Sequence, residues 1–352
     1  MDISPYLKLM VEKSASDLFF TVGAPVKIKI EGQITSVGKT ELNAELTKAA
    51  AYTIMNDRQR SEFEKTMECD FAIAMPDGSA RFRVNVFRQR GTTGMVMRRI
   101  PAEIPTIGEL GVPEILKELI NHKRGLILMV GGTGSGKSTT LAAMINHRNA
   151  SMTGHILTIE DPVEFSHPNL TSIINQREVG VDTESYARAL KASLREAPDV
   201  ILIGEIRERE TMEAALELCN TGHLAISTLH ANNANQAMER VINMFPVDLH
   251  KQLFMDLSLN LRSVVSQRLV PDIHGKRCAA IEILINTPHI ADLILKGELE
   301  SIKEAMEGSA QKGMQTFDGS LFNLFKEGRI SLEQALGNAD SRTNLEAKIN
   351  FG

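Results

Sequence analysis

The sequence predicts a mixed α/β protein in two parts. An α+β module occupies residues 1–100, a linker 101–115, and an α/β domain with a helical C-terminal part 116–352. Short strands with turn residues between them mark the first part. Beyond the linker, apolar runs of strand length alternate with helical stretches, the pattern of a largely parallel sheet flanked by helices. The run Gly131-Gly132-Thr133-Gly134-Ser135-Gly136-Lys137-Ser138 follows directly on the apolar segment Leu126–Val130, as a glycine-rich turn between a buried strand and a helix does.

Leu18–Val22 and Val26–Ile30 read as strands, the second in strict alternation, with the turn Gly23-Ala24-Pro25 between them and another suggested at Glu31-Gly32. A helical stretch runs from about Ala44 to Glu64. Cys69–Met75 and Ala80–Phe87 form two further strands joined at Pro76-Asp77-Gly78. In the second, Phe82, Val84 and Val86 share one face and Arg81, Arg83 and Asn85 the other. Met95–Ile100 closes the module. Pro101–Pro105 and Gly111-Val112-Pro113 read as linker.

Leu126–Val130 is then a buried strand and Ser138–Asn146 the helix after the loop. His155–Ile159, Val200–Ile203 and Leu224–Leu229 are strands of the same kind. The last hundred residues are predicted mostly helical. Val241, Met244, Leu253, Leu257, Leu261, Val264 and Val265 recur through Ala234–Val270, and shorter helices over Pro288–Phe325 break at Gly297 and Gly313.

Composition narrows the function. The chain is 43% hydrophobic and 24% charged, ordinary for a globular protein. A net charge of −5 argues against nucleic-acid binding as the main activity. Cys69, Cys219 and Cys278 are scattered, with no Cys-x-x-Cys, which fits reduced thiols and removes a structural zinc site. No run of 18 apolar residues exists, and Met1-Asp2-Ile3-Ser4-Pro5 does not open a signal peptide. The expected location is cytoplasmic, with no direct membrane insertion and any membrane contact made through a partner.

The glycine-rich run is a complete phosphate-binding loop. Its glycines let backbone N–H groups face a polyphosphate, and the helix that follows adds its positive end. Gly132, Thr133, Gly134, Ser135, Gly136, Lys137, Ser138 and Thr139 are therefore the expected ATP-binding residues. Lys137 would bridge the outer phosphates, and the Ser138 hydroxyl would ligate Mg²⁺. Three downstream strands end in polar clusters: Glu160-Asp161-Pro162-Val163-Glu164, Gly204-Glu205-Ile206-Arg207 and His230-Ala231-Asn232. In open α/β sheets such strand ends converge on the ligand.

Glu205, after four apolar residues, suits a carboxylate that orients or deprotonates the attacking water. Gly204 stands where an Asp that organises Mg²⁺ often sits, so Glu160, or alternatively Glu164, would supply a second carboxylate. Asp161 either joins this site or shapes the turn before Pro162. His230 is placed to read a γ-phosphate, and His223 either shares that role or caps the strand. Arg81, Arg83 and Arg98 are candidates to stabilise developing charge on a neighbouring subunit's nucleotide, as are Arg195 and Arg207 nearer the core.

Together with Ser16-Asp17-Leu18, Val22-Gly23-Ala24-Pro25, Phe82-Arg83-Val84-Asn85, Pro198–Glu205, Glu210-Thr211 and Thr221–His230, these motifs resemble the secretion-type hexameric ATPases of bacterial type IV pili over nearly the whole chain. The pilus assembly and type II secretion members are longer and carry a paired-cysteine zinc site, so the chain looks like the retraction branch, PilT and PilU. Phe19-Phe20 after Leu18, His289-Ile290-Ala291-Asp292-Leu293-Ile294 and Gly313–Asp318 are more similar to the PilU type. The resemblance implies a PAS-like N-terminal domain, a RecA-like ATPase domain and a homo-hexamer. It also implies a motor role in pilus retraction beside a PilT-type ATPase and an inner-membrane platform protein. A nucleic-acid translocase on the same core is the alternative, opposed by the acidic charge and the absence of a basic stretch interleaved with aromatics. A nucleotide switch is opposed by Glu205, and a small-molecule kinase by the lack of an acceptor lid.

Overall fold

In the computed structural model, residues 1–30, 32–100 and 103–351 are described. Glu31 of the expected turn, and Pro101 and Ala102 of the expected linker, lie outside them. The chain forms two compact units, Met1–Glu103 with Glu164–Ser166, and Ile104–Val163 with His167–Gly352.

The first unit holds helix α1 (Ser4–Glu12), strands β1 (Asp17–Phe20), β2 (Lys27–Ile30) and β3 (Gln33–Ser36), helices α2 (Ala44–Ile54) and α3 (Asp57–Thr66), and strands β4 (Glu68–Ala74), β5 (Arg81–Gln89) and β6 (Thr92–Ile100). Its antiparallel sheet has the order β3-β2-β1-β6-β5-β4. Phe82, Val84 and Val86 are fully buried on one face of β5, as their alternation predicts. Strand β3 was not anticipated, because all its residues are exposed and it carries no inside–outside pattern. The single helix expected over Ala44–Glu64 is two. Met55 is extended, and Asn56 starts α3 with a capping box, accepting from Gln59 N while its own N–H donates to Gln59 Oε1, both at 2.9 Å.

The second unit continues with α4 (Ile115–Ile120), β7 (Gly125–Val130), α5 (Lys137–Ser151), β8 (His155–Glu160), β9 (Ile173–Glu178), α6 (Tyr186–Ser193), β10 (Val200–Ile203), α7 (Arg209–Asn220), β11 (Leu224–Leu229), α8 (Ala234–Asn243) and α9 (His250–Asn260). Strands β12 (Leu261–Pro271) and β13 (Arg277–Ile285) follow, then helices α10 (Pro288–Lys296), α11 (Ile302–Glu307), α12 (Phe317–Lys326), α13 (Leu332–Asn338) and α14 (Arg342–Phe351). The sheet order is β13-β12-β7-β11-β10-β8-β9, parallel except for β13. Leu126, Leu128 and Val130 enter one apolar layer and Ile127 and Met129 the other, so both faces are covered, which is why these strands read as unbroken apolar runs.

One expectation is overturned here. The helical reading of Ala234–Val270 fails at Leu261, where α9 passes straight into β12 with no Gly or Pro to mark the change. Leu253, Leu257 and Leu261 keep a helical spacing, so local pattern could not separate the two. Partners decide it: β12 pairs in parallel with β7 and antiparallel with β13, and Val264 and Val265 are buried on opposite sides. The expected break at Gly297 is the left-handed C-cap of α10, with φ of 76°.

Candidate functional site

Four strand ends finish level. Val130 pairs with Leu229, Ile203 with Ser227, and Ile203 with Ile159, so the phosphate loop, Glu160, Gly204-Glu205 and His230 all leave the same edge of the sheet. The loop runs from Gly131 into α5, which starts at Lys137. Two of its positions exclude any side chain. A Cβ at Gly131 would stand 2.5 Å from Gln267 O and 2.6 Å from Ser135 Oγ. At Gly136, where φ is 84°, it would stand 2.8 Å from Gln267 Nε2. The turn therefore presents backbone to its ligand, and the buried Ser135 Oγ has no hydrogen-bond partner. Lys137 Nζ folds back over the loop, donating to Gly131 O at 2.7 Å and Gly132 O at 2.9 Å. Ser138 and Thr139 follow in the first turn of α5. Gly131, Gly132 and Thr133 line a cavity of ≈ 570 Å³ with His230, Asn232 and Arg240. Donors, cation and helix end suit a polyphosphate.

Across the edge, Glu205 is largely buried. Arg207 Nε donates to its Oε2 at 2.8 Å, and His230 Nε2 stands 3.2 Å from its Oε1. Glu160 accepts from Thr158 Oγ1 at 2.6 Å and Gln176 Nε2 at 3.3 Å. Gly204 is required sterically, because a Cβ there would lie 2.6 Å from the Tyr186 hydroxyl and 3.2 Å from Glu160 Cα. Burial, then the charges of Asp161 and Glu160, push the Tyr186 hydroxyl well above its ordinary range and keep it neutral. Asp161 precedes a cis proline, Pro162.

A family profile, type II/IV secretion system protein, matches residues 1–332. The chain belongs to the PilT/PilU-type family of type IV pilus retraction ATPases. It is 53% identical over 353 residues to the type IV pilus ATPase PilU of Pseudomonas aeruginosa, covering 100% of this chain and 92% of that one. To the PilT retraction ATPase of the same organism it is 43% identical over 335 residues, covering 95% and 97%. The crystal structure of the pilus retraction motor PilT with bound ADP superposes with a TM-score of 0.92 at 41% identity, over 98% of this chain and 99% of that one. The chain is accordingly an ATP-hydrolysing P-loop enzyme and a motor ATPase of the retraction class.

The other candidates of this family member's sequence lie elsewhere. His223 sits at the start of β11, the opposite edge of the sheet from the loop. Its Nδ1 is 3.1 Å from Leu218 O and from Thr221 Oγ1, closing the end of α7. Arg195 is exposed in the turn before β10, also at that far edge. Glu164 groups with the first unit. Arg81, Arg83 and Arg98 belong to that unit's sheet; Arg83 pairs across strands with Arg98, which donates to Asp17 Oδ1 at 2.8 Å. Missed by sequence were Tyr186, Thr140 and Gln267. Gln267 lies on the strand misread as helix, so nothing local could place it against the loop.

Proposed function

We propose that this chain is a Mg²⁺-dependent ATPase that works as a ring of six, powering pilus retraction beside a PilT-type ATPase and an inner-membrane platform protein at the cytoplasmic membrane face. The observation that carries the reading is Glu205, held between Arg207 and His230 on the sheet edge that bears Lys137. ATP phosphates would take the place of the Gly131 and Gly132 carbonyls at Lys137 Nζ, and backbone N–H groups from Gly132 to Thr139 would hold them. Ser138 Oγ and Glu160 would hold Mg²⁺, which would supply neutralisation of the phosphate charge. Glu205 accepts the proton of the attacking water, and His230, bridged to Glu205, registers whether the γ-phosphate is present.

Hydrolysis would be coupled to rotation between a PAS-like domain over 1–100 and a RecA-like domain over 116–352, joined by the linker 101–115. The antiparallel sheet of the first unit, with α2 and α3 inserted between β3 and β4, supports the PAS-like reading. Arg81, Arg83, Arg98 or Arg195 would serve the neighbouring subunit's nucleotide, and Glu164 is the alternative to Glu160 as the second carboxylate. Among the described residues no helix is long and apolar enough to cross a membrane, which fits peripheral attachment through a partner.

The test is steady-state ATPase on purified protein. Lys137→Ala should abolish turnover. Glu205→Gln should keep nucleotide binding yet lose about 10²-fold or more in rate, since the amide preserves shape and removes the base. Turnover of Glu205→Gln within a few-fold of wild type would move the proton-accepting role to Glu160.

A further inference from the structure

Three consecutive residues of β12 hold both lips of the nucleotide cavity. Gln267 is 2% exposed and uses both ends of its amide. Its Nε2 donates to Ser135 O inside the phosphate loop, and its Oε1 accepts from Thr140 Oγ1 in the first turn of α5, each at 2.8 Å. The Gln267 amide also closes Gly136 to a side chain, and its backbone carbonyl, with Ser135 Oγ, closes Gly131. The opposite lip is the segment from His230 to Asn233 that leads into α8. Ser266 Oγ and Ala234 N both donate to the buried Glu282 Oε1, at 3.1 and 2.7 Å, which fixes the start of α8. Arg268 reaches the segment itself, donating to Asn232 O at 3.2 Å. The same guanidinium donates to Asn338 O at 3.2 Å, pairs with Asp340 Oδ1 at 2.7 Å and lies 3.9 Å over the Phe317 ring. A planar five-donor head makes such simultaneous contacts and an ammonium does not.

Neither side chain lines the cavity. Successive side chains of a strand point to opposite faces, so the two act on different lips without sharing a partner. We infer that Gln267 and Arg268 are positioning residues for ATP turnover: Gln267 sets the phosphate loop and governs nucleotide affinity, while Arg268 sets the loop that carries His230 and governs rate. Through Asn338 and Asp340, Arg268 also ties that loop to the C-terminal helices, so their seating bears on catalysis.

The inference rests on the ATP-hydrolysing reading, and the experiment separates the two. Full-length protein is assayed for equilibrium binding of a fluorescent ATP analogue with Mg²⁺ and for kcat and KM of ATP hydrolysis, with thermal melting as a check on folding. Gln267→Leu leaves the Ser135 carbonyl and Thr140 hydroxyl unpaired and should raise Kd and KM about tenfold, with kcat at saturation within about threefold of wild type. Thr140→Val removes one of the two bonds without touching β12 and should move the same constants in the same direction by less. Arg268→Lys should keep Kd within about twofold and lower kcat about tenfold, and Asp340→Asn should lower kcat by less. Wild-type affinity in both Gln267→Leu and Thr140→Val, wild-type kcat in both Arg268→Lys and Asp340→Asn, or equal losses of affinity and rate in all four would overturn the inference. A wild-type protein without ATP hydrolysis would overturn the ATPase reading and the inference with it.

Discussion

Gly204 shows how a single residue limits what can stand at a strand end. An Asp at this position would force its Cβ to within 2.6 Å of the Tyr186 hydroxyl and 3.2 Å of the Glu160 backbone. In the proposed Mg²⁺ site the carboxylate would come from Glu160, one strand over, which accepts hydrogen bonds from Thr158 and Gln176. Gly204→Ala should therefore destabilise the protein by about 1–3 kcal/mol, the usual cost of overpacking. On a Tyr186→Phe background, where the hydroxyl is gone, the same change should cost less. Denaturant melts of the two single variants and the double variant measure the difference, and strict additivity would refute the clash. The phosphate loop and Glu205 were legible from sequence because short motifs carry them. The reason for Gly204 was not, since Tyr186 reaches it only through the fold.

Among the elements, strand β3, the break between α2 and α3 and the identity of β12 were features local pattern could not resolve. The break depends on one side chain: Asn56 caps α3 reciprocally with Gln59. Asn56→Ala should cost about 1 kcal/mol, while Asn56→Asp should retain most of the stability. Equal loss in both variants, read by thermal melting, would show that the cap contributes nothing. Strand β12 carries a larger consequence. Because it was hidden in an apolar run compatible with either period, Gln267 and Arg268 were missed as neighbours of the nucleotide cavity, although they supply its second layer of support.

Over the whole molecule, three histidines whose pKa values are lowered contribute to the response to acid. Burial pushes His167 down to about 4 from an ordinary 6.5 and leaves its Nδ1 without a hydrogen-bond partner. His122 and His147 are lowered by burial as well. A histidine held below its unfolded value takes up its proton only on unfolding. Between about pH 6.5 and pH 4 the unfolded chain therefore binds more protons, and stability falls as pH falls. His167 alone contributes up to about 3 kcal/mol across that window. His167→Gln should flatten the dependence of denaturant midpoint on pH, and an unchanged slope would remove His167 as its source.

The arginines raise a question at the scale of the proposed ring. Arg83 is exposed on the face of β5 opposite the buried Phe82, Val84 and Val86. If it serves a neighbour's nucleotide, rings mixed from Arg83→Ala and Lys137→Ala subunits should recover activity at interfaces where one neighbour supplies the loop and the other the arginine. Activity in mixed rings no higher than the sum of the two pure variants would return Arg83 to a solvated strand face.

The sequence alone determined the strands around Leu126–Val130, the loop from Gly131 to Ser138, Glu205 at the end of Val200–Ile203, and the family those motifs belong to. Each is written in contiguous residues, where turn geometry, burial on both faces of a sheet and phosphate chemistry restrict what can stand at a position. Tertiary structure alone decided that Leu261–Pro271 is a strand, that Gly204 must lack a side chain, that His223 lies at the far edge of the sheet, and that Gln267 and Arg268 brace the site. Those outcomes depend on which strands pair and what packs across them, over separations such as the 132 residues between Ser135 and Gln267, and no local spacing encodes them.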